Sequence, residues 1–244
     1  YSNLYIDTDK PYSGLFGKMY GCVRNLIVSG TVKSTSTYAG IIAGHCNSNE
    51  DYYASVQNCT AYGEISSSYP SEEAYIGGVV GNLGYAFMND CRNYATVQAG
   101  DYVGGITGIA GYKIFNCYNF GCVKGKSNCG GIVGFLFVGN VYNCTNYGDI
   151  DGDYNCGGIV GGLTGDGRVT NCLNTGDIYA NSDKIGGIFG SSFNDIGQVV
   201  SNCVNVGTVL TPESFNGNKG GLAGTSEVRL TNCYWLYDPE SNLG

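Results

Sequence analysis

Proline is scarce in this chain, four residues in 244, histidine occurs once, and charged residues make up only 13%. The 12 Lys and Arg are scattered singly against a formal net charge of −8, so no basic patch can neutralise a row of phosphates, which excludes nucleic acid as a partner. No apolar run approaches the roughly 18–20 residues that span a bilayer, so no transmembrane segment is expected. The opening "YSNLYIDTDK" lacks the basic, apolar and small-residue zones of a signal peptide. Cys-x-x-Cys is also missing, and Cys117 and Cys122 stand inside a strand-corner segment, which argues against a zinc site. What is abundant points elsewhere. The 43% hydrophobic content is that of a folded protein, and 41 Gly and 21 Tyr, with runs alternating apolar and small polar side chains, favour strands and tight corners over helices.

The abundance is periodic. A Gly-rich block recurs as "SGLFG" (13–17), "GIIAG" (40–44), "GGVVG" (77–81), "GGITG" (104–108), "GGIVG" (130–134 and 157–161), "GGIFG" (186–190) and "GGLAG" (220–224). Between these lies a second block: "VRNLIVSGTV" from Val23, "VQNCTAYGEI" from Val56, "MNDCRNYATV" from Met88, "IFNCYNFGCV" from Ile114, "VYNCTNYGDI" from Val141, "VTNCLNTGDI" from Val169 and "VSNCVNVGTV" from Val200, with a beginning in "LTNCYW" from Leu230. The fourth column of this alignment is decisive. Leu26 stands where Cys59, Cys91, Cys117, Cys144, Cys172, Cys203 and Cys233 stand, and leucine can replace a small buried hydrophobe but neither a metal ligand nor half a disulfide.

Successive fourth-column residues are 26 to 33 apart, too short for a domain and right for one coil of a solenoid. Gly block, Asn-Cys segment and closing Gly-x-Val segment predict three short strands per coil, separated by corners where Gly or Asn takes positive φ. The longer spacings come from polar loops, "HCNSNEDYYAS" and "SSSYPSEEAY". The expected fold is all-β: a single right-handed parallel β-helix (β-solenoid) domain over 1–244, about eight coils long. Identical positions then stack about 4.8 Å apart. They form an aliphatic ladder (Ile41, Val79, Ile106, Ile132, Ile159, Ile188, Leu222), a thiol ladder, and an amide ladder (Asn93, Asn119, Asn146, Asn174, Asn205). "YSNLYI" from Tyr1 matches the opening of the Asn-Leu block, so the chain is expected to begin mid-coil, as a fragment of a longer polypeptide with flanking domains.

"GGIVG" followed by "NCYNFGCVKG", and the opening "GLFG" followed by "VRNLIVSGTV", resemble the GLUG-type repeats of bacterial surface adhesins and of the N-terminal region of IgA-cleaving M26 peptidases. The resemblance covers nearly the whole chain. It implies a parallel β-helix in a secreted or surface-attached bacterial protein, acting as stalk, spacer or adhesive surface. It implies no catalytic residue, because the peptidase activity of that family resides in a zinc domain with a His-Glu-x-x-His motif, and here the single histidine is His45.

Three clusters are candidates for more than scaffolding. Cys129 and Cys156 sit one coil apart before "GG", at a corner, and are the best-placed pair for a disulfide, although stacked cysteines direct their Cβ vectors the same way. "DIDGDYN" puts Asp149, Asp151 and Asp153 at alternate positions with Asp177 expected beside Asp149, three or four oxygen donors for Ca²⁺, or else a solvated acidic face. The column Tyr62, Tyr94, Phe120 and Tyr147 faces solvent if the pleat alternates outward from Cys, and would then offer rings to a sugar or a partner protein; if the Asn-x-Gly corner shifts the phase, the rings are core. The triplets at Asn58 and Asn143 match a glycosylation pattern formally, and their column membership makes them structural amides. No cofactor is required by any of these. The sequence therefore predicts a non-catalytic extracellular module that meets a glycan or a host or cell-surface protein. Its rival is a polysaccharide lyase or hydrolase built on the same helix, for which no carboxylate pair stands out.

Overall fold

Backbone hydrogen bonds run from each coil to the next throughout the computed structural model, which describes residues 3–35, 37–49, 53–68, 73–193, 197–226 and 228–236. All strand pairs are parallel, and no helix occurs among these residues. The fold is a parallel β-solenoid of about eight coils.

The first two complete coils hold four strands each, and from Tyr75–Gly77 onward each complete coil holds five, not three. In the coil that carries Cys117 they are Asp101–Gly104, Thr107–Ala110, Lys113–Phe115, Tyr118–Asn119 and Val123–Lys124. The Gly block is cut in two at a corner formed by its second and third residues, here Gly105 and Ile106, and the Asn-Cys block is cut at the residue before Cys. That residue is Asn25, Asn58, Asp90, Asn116, Asn143, Asn171, Asn202 or Asn232, and its φ lies between 48 and 56°. Asn and Asp enter this left-handed region most readily among residues with side chains. The first and third strands stack into eight-stranded sheets and the second into a seven-stranded one, while fourth and fifth strands share a fourteen-stranded sheet.

Fourth and fifth strands share that sheet because two coils do not bend between them. Strands Ile27–Ser34 and Thr60–Ser67 run straight through, with Val28 and Ala61 facing inward. From the next coil on, that inward position is Asn93, Asn119, Asn146, Asn174 and Asn205, each 0 or 1% exposed. A short amide side chain can bond its own backbone two residues on and so compete with the ladder. Here it does: each of these Nδ2 atoms donates to the carbonyl of residue i+2, and Asn93 and Asn119 accept that residue's N–H in return. The second Nδ2 hydrogen reaches the Oδ1 of the next coil at 2.8 Å, from Asn93 to Asn119 and onward to Asn205, whose own Nδ2 ends on the Gly221 carbonyl. The amide ladder is thus both corner and core.

Glycine follows from the same packing. A Cβ on Gly78, Gly105, Gly131 or Gly158 would collide with the carboxamide of Asn93, Asn119, Asn146 or Asn174 across the interior. Where Gly78 would stand one coil earlier the chain has Ile41, and there the facing position is Ala61. The volume moves from one wall to the other. The last glycine of each block brings the second strand against the first strand of the preceding coil: a Cβ on Gly161 would lie 2.6 Å from the Cys129 nitrogen.

The register corrects three expectations besides the strand count. Ile42, not Ile41, stacks on Val79 in the aliphatic ladder. Strand Asn3–Thr8 pairs with Ser29–Ser34, with Ile6 opposite Val32, so it is a closing strand and not the opening of an Asn-Leu block. The polar insertions are shorter than they read, because His45 and Cys46 end one strand, Ser66 and Ser67 end another, and Ser55 and Tyr75 begin others.

Asn146→Ala should lower the unfolding free energy by about 2–4 kcal/mol, since it strips hydrogen bonds from Asn119 and Asn174 and leaves a cavity. Asn143→Gly, in the exposed corner where glycine accepts positive φ, should stay within about 1 kcal/mol. Urea titration of both variants distinguishes the buried ladder from the surface one.

Candidate functional site

Along the fourth strands the pleat runs Cys in, next residue out, Asn in, next residue out, so the aromatic column lies on the outside. Tyr62, Tyr94, Phe120 and Tyr147 are 39–46% exposed. The rings stack on one another with centroids 4.8, 4.6 and 4.8 Å apart and planes within 8°. These spacings are those of the strands themselves. The geometry decides what the column can offer. Ring faces are turned to neighbouring rings, so solvent meets the rims and the tyrosine hydroxyls, whereas a sugar ring stacks on a face. Thr175 and Val206 continue the column towards the C-terminus, and Arg92, beside it, lies 5.5 Å from the Tyr118 ring.

The acidic residues do not gather. Asp149 Oδ1 accepts the Asp177 backbone N–H at 2.9 Å, and Asp177 Oδ1 accepts that of Thr208 at 2.8 Å, so both carboxylates secure the backbone of the coil above. Asp151 pairs with Lys124 at 3.8 Å on the open surface, an interaction worth little in water. Asp153 accepts from Asn181 at 3.0 Å. Asp149, Asp151 and Lys124 border a shallow groove of about 200 Å³ together with Cys122 and Tyr179. No three His, Cys, Asp or Glu side chains among the described residues come together as metal ligands would.

Thiols fill the interior. From Cys59 to Cys203 the fourth-column side chains are buried, and each Sγ donates to the carbonyl two residues before it at 3.1–3.4 Å. Burial pushes the Cys117 thiol up, and its hydrogen bond to the neighbouring Cys144 adds to it. Cys46, outside the ladder, is pushed up to about 12, again by burial. Such thiols hold their protons and are poor nucleophiles. Cys129 and Cys156 are strand partners and both are free and buried, with their sulfurs side by side over Gly152. Asn58 and Asn143, the two glycosylation-like asparagines, occupy the left-handed corner, where Asn58 Nδ2 bonds Asn25 and Asn143 Nδ2 bonds Asn116.

Two further ring stacks stand apart from the aromatic column. Tyr12, Tyr38, Tyr75 and Tyr102 stack at 5.3, 5.4 and 4.9 Å, and Phe87, Phe115 and Tyr142 at 6.3 and 5.1 Å. The first set has a signal: each tyrosine lies two residues before a Gly-block glycine (Gly14, Gly40, Gly77, Gly104). His45 lies beside it, 5.7 Å from the rings of both Tyr12 and Tyr38.

Comparison with protein-family models, curated proteins and solved structures finds no match.

Phe120→Ala, which removes the ring between Tyr94 and Tyr147, should cost about 1–3 kcal/mol in a thermal or urea melt, far more than an isolated surface ring. In native protein, an aromatic disulfide reagent should modify Cys22 and Cys122 at once and the half-buried Cys233 slowly, while the nine buried thiols react only after denaturation. Prompt reaction of more than three thiols would contradict the closed interior.

Proposed function

We propose that the chain is a non-catalytic β-solenoid module that serves as a rigid stalk or adhesion surface of a bacterial cell-surface or secreted protein. The observation that carries this reading is that side-chain ladders tie each coil to the next on several walls at once. Thiols, inner amides, corner amides and stacked rings all act along the axis, which suits a part that bears load or holds a surface flat. Outward polar groups follow one another coil by coil without converging on a point. Placement outside the cell rests on the resemblance to adhesin repeats. The rim-outward aromatic column favours a partner that packs on ring edges and bonds tyrosine hydroxyls. A flat protein surface meets that demand better than a stacked sugar ring does.

Immobilised protein screened against arrays of glycans and of host and microbial surface proteins tests the adhesive role. Selective binding that is weakened several-fold by Tyr94→Phe with Tyr147→Phe, which keeps the stack and removes the hydroxyls, is the expected result. Incubation with a panel of acidic and neutral polysaccharides tests the enzymatic rival. New reducing ends or unsaturated uronate products would overturn the non-catalytic reading.

A further inference from the structure

Lys18, His45 and Asn82 succeed one another as strand partners in the first three coils, projecting outward from the second strands. The imidazole is wedged beside two parallel tyrosine rings, and its Nδ1 is buried without a hydrogen-bond partner. Lys18 comes from the coil below, its ammonium 5.6 Å from the Tyr12 ring and 4.9 Å from the Tyr20 ring. Asn82 comes from the coil above. Tyr12 and Tyr38 flank it, and Tyr75 is next in their stack. Cys46, the next residue on its own strand, turns into the core. Glu73 acts on Tyr38 and Tyr75, while among the described residues the charge that acts on His45 is Lys18.

A protonated imidazole needs acceptors for two N–H groups and prefers a carboxylate nearby. This site gives its Nδ1 no acceptor and sets a lysine one strand spacing away, about 4.8 Å along the axis. We propose that His45 is a proton-operated latch between the first and second coils: the neutral ring seals Lys18, Tyr12 and Tyr38 together, and the protonated ring forces the Lys18 strand away. The strands that would part are Tyr12–Ser13, Phe16–Met19 and Cys22–Arg24. Among the described residues each of them pairs with the second coil alone.

Burial, and after it Lys18, holds the His45 pKa below the usual histidine value of 6.5. A base whose folded pKa is depressed binds protons more readily when released. Its contribution to docking is therefore complete above about pH 6.5 and is lost as pH falls through the folded value. His45 is the single histidine, so no other side chain with an ordinary pKa changes charge between about pH 7.5 and 5.5.

Amide hydrogen exchange of the whole chain at pH 7.5 and 5.5, corrected for intrinsic rates, tests the latch. Expected is a several-fold loss of protection at the lower pH in Phe16–Met19, with Thr107–Ala110 unchanged. His45→Gln should abolish the difference, and Lys18→Met should reduce it. Equal protection at both pH values, or a difference that persists in His45→Gln, overturns the proposal. If that variant fails to fold, the imidazole titration of the native protein followed by NMR decides, and a midpoint at or above 6.5 overturns it.

Discussion

A carboxamide sealed inside a protein is tolerable only when its two donors and its acceptor are engaged. In this solenoid that requirement is met twice over by one residue type. The inner asparagine uses its own backbone to turn the corner and the next coil's asparagine to complete its bonding. From that double use follow the break between fourth and fifth strands, the double glycine that makes room across the interior, and the requirement that consecutive coils keep a common register. A coil with Ala61 in place of asparagine keeps its strand straight and fills the space with Ile41, so the interior has two self-consistent solutions.

Much of this was legible in the sequence because a solenoid repeats its cross-section in the chain itself. Leu26 among the cysteines separated a packing position from a ligand, and the Asn93-to-Asn205 column named the members of the amide ladder, though not their burial. What stayed hidden was whatever the column alignment left ambiguous by a residue or a corner. "GIIAG" offers two adjacent isoleucines, and only the strand pairing assigns Ile42 to the ladder. The five-strand coil was missed because the corner before each cysteine is made by an asparagine that also reads as strand. The acidic stretch lists its carboxylates in sequence without telling which of them bond the next coil's backbone.

Function was less legible than fold for a physical reason. A catalytic or metal site needs groups that converge, and in a solenoid residues close in space lie a coil apart in sequence, so convergence depends on register at each position. The aromatic column shows the difference: its exposure follows from the pleat, but the stacking that hides its faces depends on χ angles that no spacing reveals. His45 gave no pattern at all, being unique, and its setting emerged only when Lys18 and two tyrosines were placed around it.

The two asparagine ladders have one more consequence. Inner amides donate towards the C-terminal coils, Asn93 to Asn119 and onward, whereas corner amides donate towards the N-terminal ones, Asn143 to Asn116 and Asn171 to Asn143. Side-chain dipoles on the two walls therefore point in opposite senses. Where both ladders run, each added coil builds up less axial polarisation than a single ladder of amides would.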